Sequence, residues 1–348
     1  MIDFRSDYLE GAHESVLALL AQHNMRQSLG YGEDAHCARA ADRIRQLIGC
    51  PEADVHFVSG GTQANLTVIS AILRPHQGVI SATTGHISEH EAGAIEATGH
   101  KVLVLPEQEG RVSPQDVRAM VQAHYDDASF EHWVQPGMVY ISNTTERGGT
   151  YSKQQLTALS DTCRELGLPL YMDGARLGYA LAEEGTELTW TDLPKLCDVF
   201  AIGGTKQGAL FGEAIVVVNE QMKKDFRYII KQKGGMLAKG WLLGLQFEAL
   251  LEGNRYLELA AQANRLATSF RDALQAAGIT FLTPSNTNQQ FPILDNKALD
   301  ALKDKYGWST IKKINDTHTA VRFCFSWART QEEADQLTQD VVAAVKAL

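Results

Sequence analysis

Between residues 50 and 220 the chain alternates two apolar patterns. Short runs that are apolar throughout, at 55–59, 78–82, 101–105, 138–142, 168–172, 199–203 and 214–218, predict strands covered on both faces. Stretches with apolar residues three and four apart predict helices over 38–48, 63–73, 114–124 and 153–166. Their ends carry local signals. Gly49 and Gly167 stand where two of the helices stop, and Ser113-Pro114 and Ser152 stand where two begin. The strand–helix–strand order predicts an α/β fold, a mostly parallel seven-stranded sheet wrapped by helices.

From about Gly240 the pattern changes. Residues 241–276 read as helix almost throughout, with a break near Gly253. Short strands at 279–282 and 290–293, a helix at 297–305 and a strand at 318–327 follow. Thr330 with Glu333 makes a capping box that opens a last helix. The expected division is a large domain of residues 1–246, which takes in the N-terminal segment, and a smaller α+β C-terminal domain of residues 247–348.

Composition narrows the function classes. Of 348 residues 44% are hydrophobic and 21% charged, the balance of a folded chain with a core. Thirty-two basic against 42 acidic residues leave a net charge of −10, which repels phosphate backbones, so nucleic acid is not an expected partner. The densest basic run, Lys223, Lys224, Arg227, Lys231 and Lys233, has the spacing of a solvated helix face. No apolar run reaches the length of about 18 residues that a membrane span needs. The N-terminus has acidic residues and no apolar stretch of the kind a signal peptide carries. Cys37, Cys50, Cys163, Cys197 and Cys324 are far apart and odd in number, the usage of a reducing compartment. A cytoplasmic location is the expectation.

Three segments carry candidate chemistry, each just after an apolar strand. Ser59-Gly60-Gly61-Thr62-Gln63-Ala64-Asn65 opens a helix, where glycines and free N–H groups can cradle a phosphate. It is neither a dinucleotide fingerprint nor a P-loop, and alone it also reads as an ordinary strand–helix turn. Asp173, in Tyr171-Met172-Asp173-Gly174-Ala175-Arg176, puts a carboxylate at a buried strand end, the ligand edge of an open α/β sheet. Such a carboxylate needs a cation, either Arg176 or a ligand. Lys206 follows 33 residues later in Gly203-Gly204-Thr205-Lys206, a turn in which a lysine can be desolvated. An anion site, a strand-end carboxylate and a lysine after the next strand are together what pyridoxal phosphate requires. A metal reading of His86, His90 and Glu91 fails the HExxH pattern, because Ala94 stands where the second histidine belongs, and no metal is expected.

These segments resemble the threonine aldolase / β-eliminating lyase family of fold-type I pyridoxal-phosphate enzymes, low-specificity L-threonine aldolases above all. The resemblance runs through RSD (5–7), YGED (31–34), GGTQAN (60–65), HISEHEAGA (86–94), NTTERGGTYS (143–152), DGARLGYA (173–180) and GGTKQGALFGE (203–213). It implies the fold-type I architecture with pyridoxal 5′-phosphate as cofactor. Lys206 would hold the cofactor covalently, Asp173 would pair with its ring nitrogen, Gly61 and Thr62 would hold its phosphate, and His86 would stack on its ring. Ser6, Arg176 and Arg322 would hold the substrate carboxylate, and Tyr31 would line the site or that of a neighbouring subunit in a homotetramer or dimer.

Two positions depart from the family. Thr145 stands where a histidine thought to deprotonate the substrate β-hydroxyl is often found, which leaves the task to His86, a water or another residue. Leu237 stands where an arginine often sits, with Lys239 or Arg227 as substitutes. The implied reaction is retro-aldol cleavage of L-threonine or L-allo-threonine to glycine and an aldehyde. A β-eliminating lyase yielding a 2-oxo acid and ammonia shares the same motifs. A cofactor-binding sensor without turnover would need an attached nucleic-acid-binding segment, and no stretch of the chain is free for one.

Overall fold

The computed structural model describes residues 1–348. Its strands are β1 (Ile2–Asp3), β2 (Asp54–Val58), β3 (Gln77–Ala82), β4 (Val102–Leu105), β5 (Gln135–Ser142), β6 (Leu170–Asp173), β7 (Val199–Gly203), β8 (Glu213–Val217), β9 (Gln289–Gln290), β10 (Ile293–Asp295), β11 (Tyr306–Gly307), β12 (Ser309–Lys313) and β13 (His318–Cys324). Seven of them form one sheet in the order β2-β8-β7-β6-β5-β3-β4. Only β8 opposes its neighbours, pairing antiparallel with both β2 and β7. This is the mostly parallel seven-stranded sheet that the apolar runs predict, each strand displaced by no more than three residues at either end.

Continuous apolar runs are needed because both faces are covered. On β5, Met138 and Tyr140 join one core cluster while Val139 and Ile141 join the other. The same alternation sends Tyr171 one way and Leu170 and Met172 the other, as a side-chain period of two requires. Helices supply the opposing apolar faces: Gly61–Ile72 packs in one cluster, Ala35–Ile48 and Lys153–Glu165 in the other. Their ends follow the sequence signals. Gly49 (φ 66°) stops one helix, and Ser113 and Ser152 accept the first-turn N–H groups of two others.

The C-terminal region departs more. The long helical stretch divides into Trp241–Leu250 and Arg255–Ala276 around Gly253. Residues 279–282 form no strand: Phe281 makes only an isolated bridge to Pro292. β12, too polar to announce itself, pairs with β13. The expected strand 318–327 ends at Cys324, and residues 303–305 lie beyond the helix Asn296–Leu302. The basic run is not one helix face either. Lys223 and Lys224 precede the helix Phe226–Gln232, and Lys223 pairs with Glu220 at 2.6 Å. The N-terminal segment, expected with the large domain, packs against the C-terminal layer. β1 pairs with β11, and Phe4 is buried against Phe323 and Phe325. All five cysteines are buried and unbridged. No helix is long and apolar enough to cross a membrane.

Candidate active site

The sheet brings the three sequence segments to one edge. The C-terminal ends of β2, β5, β6 and β7 open there, joined by the N-terminal end of the antiparallel β8. Between them lies a cavity of about 300 Å³, lined by Gly60, Gly61, Thr62, Asp173, Lys206 and Glu213 among others. His86, in the turn after β3, and Tyr8, from the N-terminal segment, also line it.

The glycine end is an anion cradle. Gly60 is the N-cap of the helix Gly61–Ile72 and offers no side-chain cap, so the first-turn N–H groups are free of side-chain acceptors. A Cβ at Gly60 or Gly61 would meet nothing within 4 Å, because both face open cavity. The helix dipole adds positive potential at that point.

Asp173 is buried, yet its carboxyl lies below the usual range. Burial alone would raise it. The charge of His86, the Asn65 amide, the Ala175 N–H and the charge of Lys206 outweigh that. Asn65 Nδ2 and Tyr140 Oη donate to Oδ2 at 2.9 and 2.8 Å, and Ala175 N donates to Oδ1 at 2.9 Å. Asp173 is thus held as an anion at the cavity wall.

Asn65 carries the network further by donating to Glu91 Oε1 at 2.7 Å. Glu91 in turn lies 2.7 Å from His86 Nδ1. Burial disfavours the imidazolium, but the Glu91 hydrogen bond and the charges of Asp173 and Glu91 overcome it, and His86 is raised above its ordinary value. Lys206 occupies the turn after β7. Its carbonyl accepts from Tyr179 Oη at 2.7 Å, which fixes the backbone from which the amine enters the cavity.

Arg176 is not the counter-ion of Asp173. Its Nε and Nη2 bind the two oxygens of Asp7 at 2.7 and 3.0 Å, in a fork that uses two of its five N–H donors. The strand end turns Asp173 toward Asn65 and Tyr140, while Arg176 reaches across to the N-terminal segment. Burial opposes ionisation of Asp7, but the charges of Arg176 and Lys206 and the bonds from Arg176 and Asn288 hold it well below the carboxylate range. A depressed carboxyl stabilises the fold fully above its unfolded pKa of about 3.9 and loses that contribution as pH falls toward the folded value. Asp7→Asn strands a buried guanidinium and is expected to lower stability by about 3–5 kcal/mol at neutral pH. Denaturant titrations at neutral pH and near pH 3 check this. The gap between the two proteins should narrow at the lower pH.

Ser6 and Arg322 are brought together but stand outside the cavity lining. Arg322, on β13, donates through Nη2 to the carbonyl of Arg5 and through Nη1 to Gln289 Oε1, at 3.0 and 3.1 Å. Its Nε and the Ser6 hydroxyl are both buried without partners. Tyr31 lies elsewhere, 47% exposed, with Lys231 Nζ 4.6 Å above its ring. It lines a second cavity with Arg227 and Leu237, neither of which lines the Lys206 cavity. Thr145 is buried in the wall. Its hydroxyl donates to the Glu109 carbonyl at 2.7 Å and accepts from Gly149 N at 3.0 Å. The position that often carries the family's histidine faces away from the cavity.

Sequence reasoning assigned no role to Asn65, Glu91, Tyr140, Glu146 or Glu213. Glu213 sits at the site because β8 runs antiparallel. Burial pushes its carboxyl well above the usual range, against the charge of Lys206, with Asp173 adding to the rise. Asn65, Glu146 and Glu213 belong to segments already singled out, but only the fold shows which of their residues turn inward.

Residues 3–297 match the family described as beta-eliminating lyase. The chain belongs to this family. Among its relatives, a low specificity L-threonine aldolase of a Pseudomonas species is 33% identical over 99% of this chain and 98% of its own. A threonine aldolase structure from Leishmania major superposes with a TM-score of 0.96 at 44% identity, covering 99% of this chain and all of that one. An aspartate aminotransferase of Thermus thermophilus, 16% identical with a TM-score of 0.71, shares the fold alone. Beta-eliminating lyases of this fold type are pyridoxal-phosphate enzymes. The residues present fit that group: an uncapped helix N-terminus whose glycines face open cavity, a buried carboxyl held ionised, and a lysine amine in the same cavity.

Proposed function

We propose that this beta-eliminating lyase family member is an L-threonine aldolase, cleaving L-threonine and L-allo-threonine to glycine and acetaldehyde. The observation that carries the reading is the convergence of Lys206, Asp173 and the Gly60–Gly61 cradle on one cavity, in a chain that matches threonine aldolases end to end. When bound, pyridoxal phosphate supplies an electron sink for the pair left on Cα as the Cα–Cβ bond breaks.

The chain's own residues supply the rest. Lys206 would hold the cofactor, and Asp173, kept ionised in the wall, would pair with its ring nitrogen. Gly61 and Thr62 would bind its phosphate, and His86, locked by Glu91, would pack against its ring. Ser6 and Arg322 take the substrate carboxylate on their unpaired donors, together with Arg176 from the cavity lining. Holding that carboxylate sets the torsion about Cα and so selects the bond that breaks. Tyr31, exposed on another face, serves the site of a neighbouring subunit in a homo-oligomer. The sheet region up to about residue 246 acts as the large domain and residues 247–348 as the small one, to which the first residues of the chain add β1 and Phe4.

Arg322→Lys keeps the charge and removes the fork. Hydrogen bonds to charged groups are worth about 1.5–3 kcal/mol each, so KM for L-threonine should rise about 10- to 100-fold. Steady-state kinetics reads this directly. The reaction itself is tested in the synthetic direction. Glycine and acetaldehyde should yield threonine and allo-threonine, and a protein that releases ammonia and a 2-oxo acid from β-substituted amino acids yet makes no β-hydroxy amino acid would overturn the reading.

A further inference from the structure

Glu146 lies at the turn after β5, next to the buried Thr145. One of its carboxyl oxygens is fully engaged: Oε1 accepts from the backbone N–H of His86 at 3.0 Å and from the Ser142 hydroxyl at 2.6 Å. The other, Oε2, is buried and has no partner. The side chain lines the cavity beside His86, Thr144 and Lys206. An acceptor oxygen without a donor, in the wall of a site built for a hydroxylated substrate, calls for an O–H donor from that substrate.

The surroundings suit a group that changes its protonation state. Tyr140 Oη gives its proton to Asp173, and Ser142 gives its own to Glu146 Oε1. Oε1 therefore keeps its two donors, Ser142 and the His86 N–H, whether Oε2 is ionised or protonated. Either state of Glu146 keeps these partners. The charged and titratable groups facing Glu146 are His86, Asp173, Tyr140 and Tyr151, with Lys206 in the same cavity lining. Burial first, then the charge of Asp173, raise its carboxyl, while Ser142, its own backbone N–H and His86 pull the other way. The balance is a rise, the direction that strengthens a carboxylate as a base. His86 suits that task less, since Glu91 and Asp173 favour its charged, proton-laden form.

We propose that Glu146 is the general base of the cleavage, its Oε2 taking the proton of the substrate β-hydroxyl. This rests on the aldolase reading above. The O–H bond breaks as the Glu146 acid forms. The O–H electron pair becomes the second bond of the aldehyde carbonyl, and the Cα–Cβ pair stays on Cα until a proton from the site converts it to glycine. Glu146 thus does the work that the threonine at 145 cannot do.

The test compares wild-type holoenzyme with Glu146→Gln, in which the amide keeps an acceptor oxygen for His86 and Ser142. Cleavage of L-threonine should fall about 10²- to 10⁴-fold, the usual worth of a general base, and kcat should lose its acidic limb against pH. Exchange of the glycine α-proton in D₂O involves no β-hydroxyl and should run at the wild-type rate, with the cofactor's visible absorption unchanged. Ser142→Ala removes a bond that favours the ionised form and should move the acidic limb to higher pH. Unimpaired cleavage by Glu146→Gln overturns the proposal. So does a parallel loss of glycine exchange, which would make Glu146 a positioning residue for His86, and so does an unmoved limb in Ser142→Ala. Should wild-type enzyme release no aldehyde, the aldolase reading fails and this proposal with it. Should wild type cleave and the variant cleave equally well, only the role of Glu146 fails.

Discussion

Lys206→Ala is expected to abolish turnover, with kcat/KM for L-threonine falling on the order of 10⁴-fold or more, a loss of about 5.4 kcal/mol in barrier terms. Lys206 contributes the only lysine amine that lines the cavity, and no neighbouring residue can substitute for it. Its backbone is held independently of the side chain. Tyr179 binds its carbonyl at 2.7 Å, Gly204 N reaches Gly212 O at 2.9 Å, and Gly212 N binds Thr205 Oγ1 at 3.1 Å. Truncation therefore removes the amine and leaves the turn in place. Reduction with borohydride followed by peptide mass mapping should find cofactor mass on residue 206 of the wild type and none in the variant. A variant that retained wild-type rates would refute the assignment of Lys206.

Asp173→Asn should cost about 10³-fold in kcat, roughly 4 kcal/mol. The carboxylate is buried and ionised, and an ion pair broken in that environment is worth about 3–5 kcal/mol. Asparagine fits the same volume but carries no charge to hold a protonated ring nitrogen. It also meets two donors, Asn65 Nδ2 and Tyr140 Oη, that both address Oδ2. If the amide nitrogen takes that place, both lose their acceptor. Kinetics together with the cofactor's visible spectrum separates the electronic effect from loss of binding, because the variant should still take up the cofactor.

The large sheet was legible in the sequence for a simple reason. Strands covered on both faces must be apolar throughout, and helices between them must show the 3.6-residue period. β12 escaped because its sequence, Ser-Thr-Ile-Lys-Lys, is half exposed, and two-residue strands such as β1 and β11 leave no periodic signal. In the site, the motifs located Asp173, Lys206 and the glycine cradle, since each lies within a few residues of a strand end. Their partners were not legible. Asn65 is 108 residues from Asp173, and Asp7 is 169 residues from Arg176, so no local pattern relates them. The sequence left Arg176 or a ligand as the cation for Asp173, and the strand end turns Arg176 to Asp7 instead. Glu213 reads as the end of a glycine-rich motif until the reversal of β8 turns it into the cavity.

The most direct test of the account is the product balance from L-threonine with purified protein and pyridoxal phosphate. L-allo-threonine is run beside it, and glycine, acetaldehyde, 2-oxo acid and ammonia are all quantified. The account predicts acetaldehyde and glycine in equal amounts from both substrates, with no 2-oxo acid. A 2-oxo acid and ammonia in place of that pair would mean that the site breaks the bond to the β-substituent and would contradict the assignment.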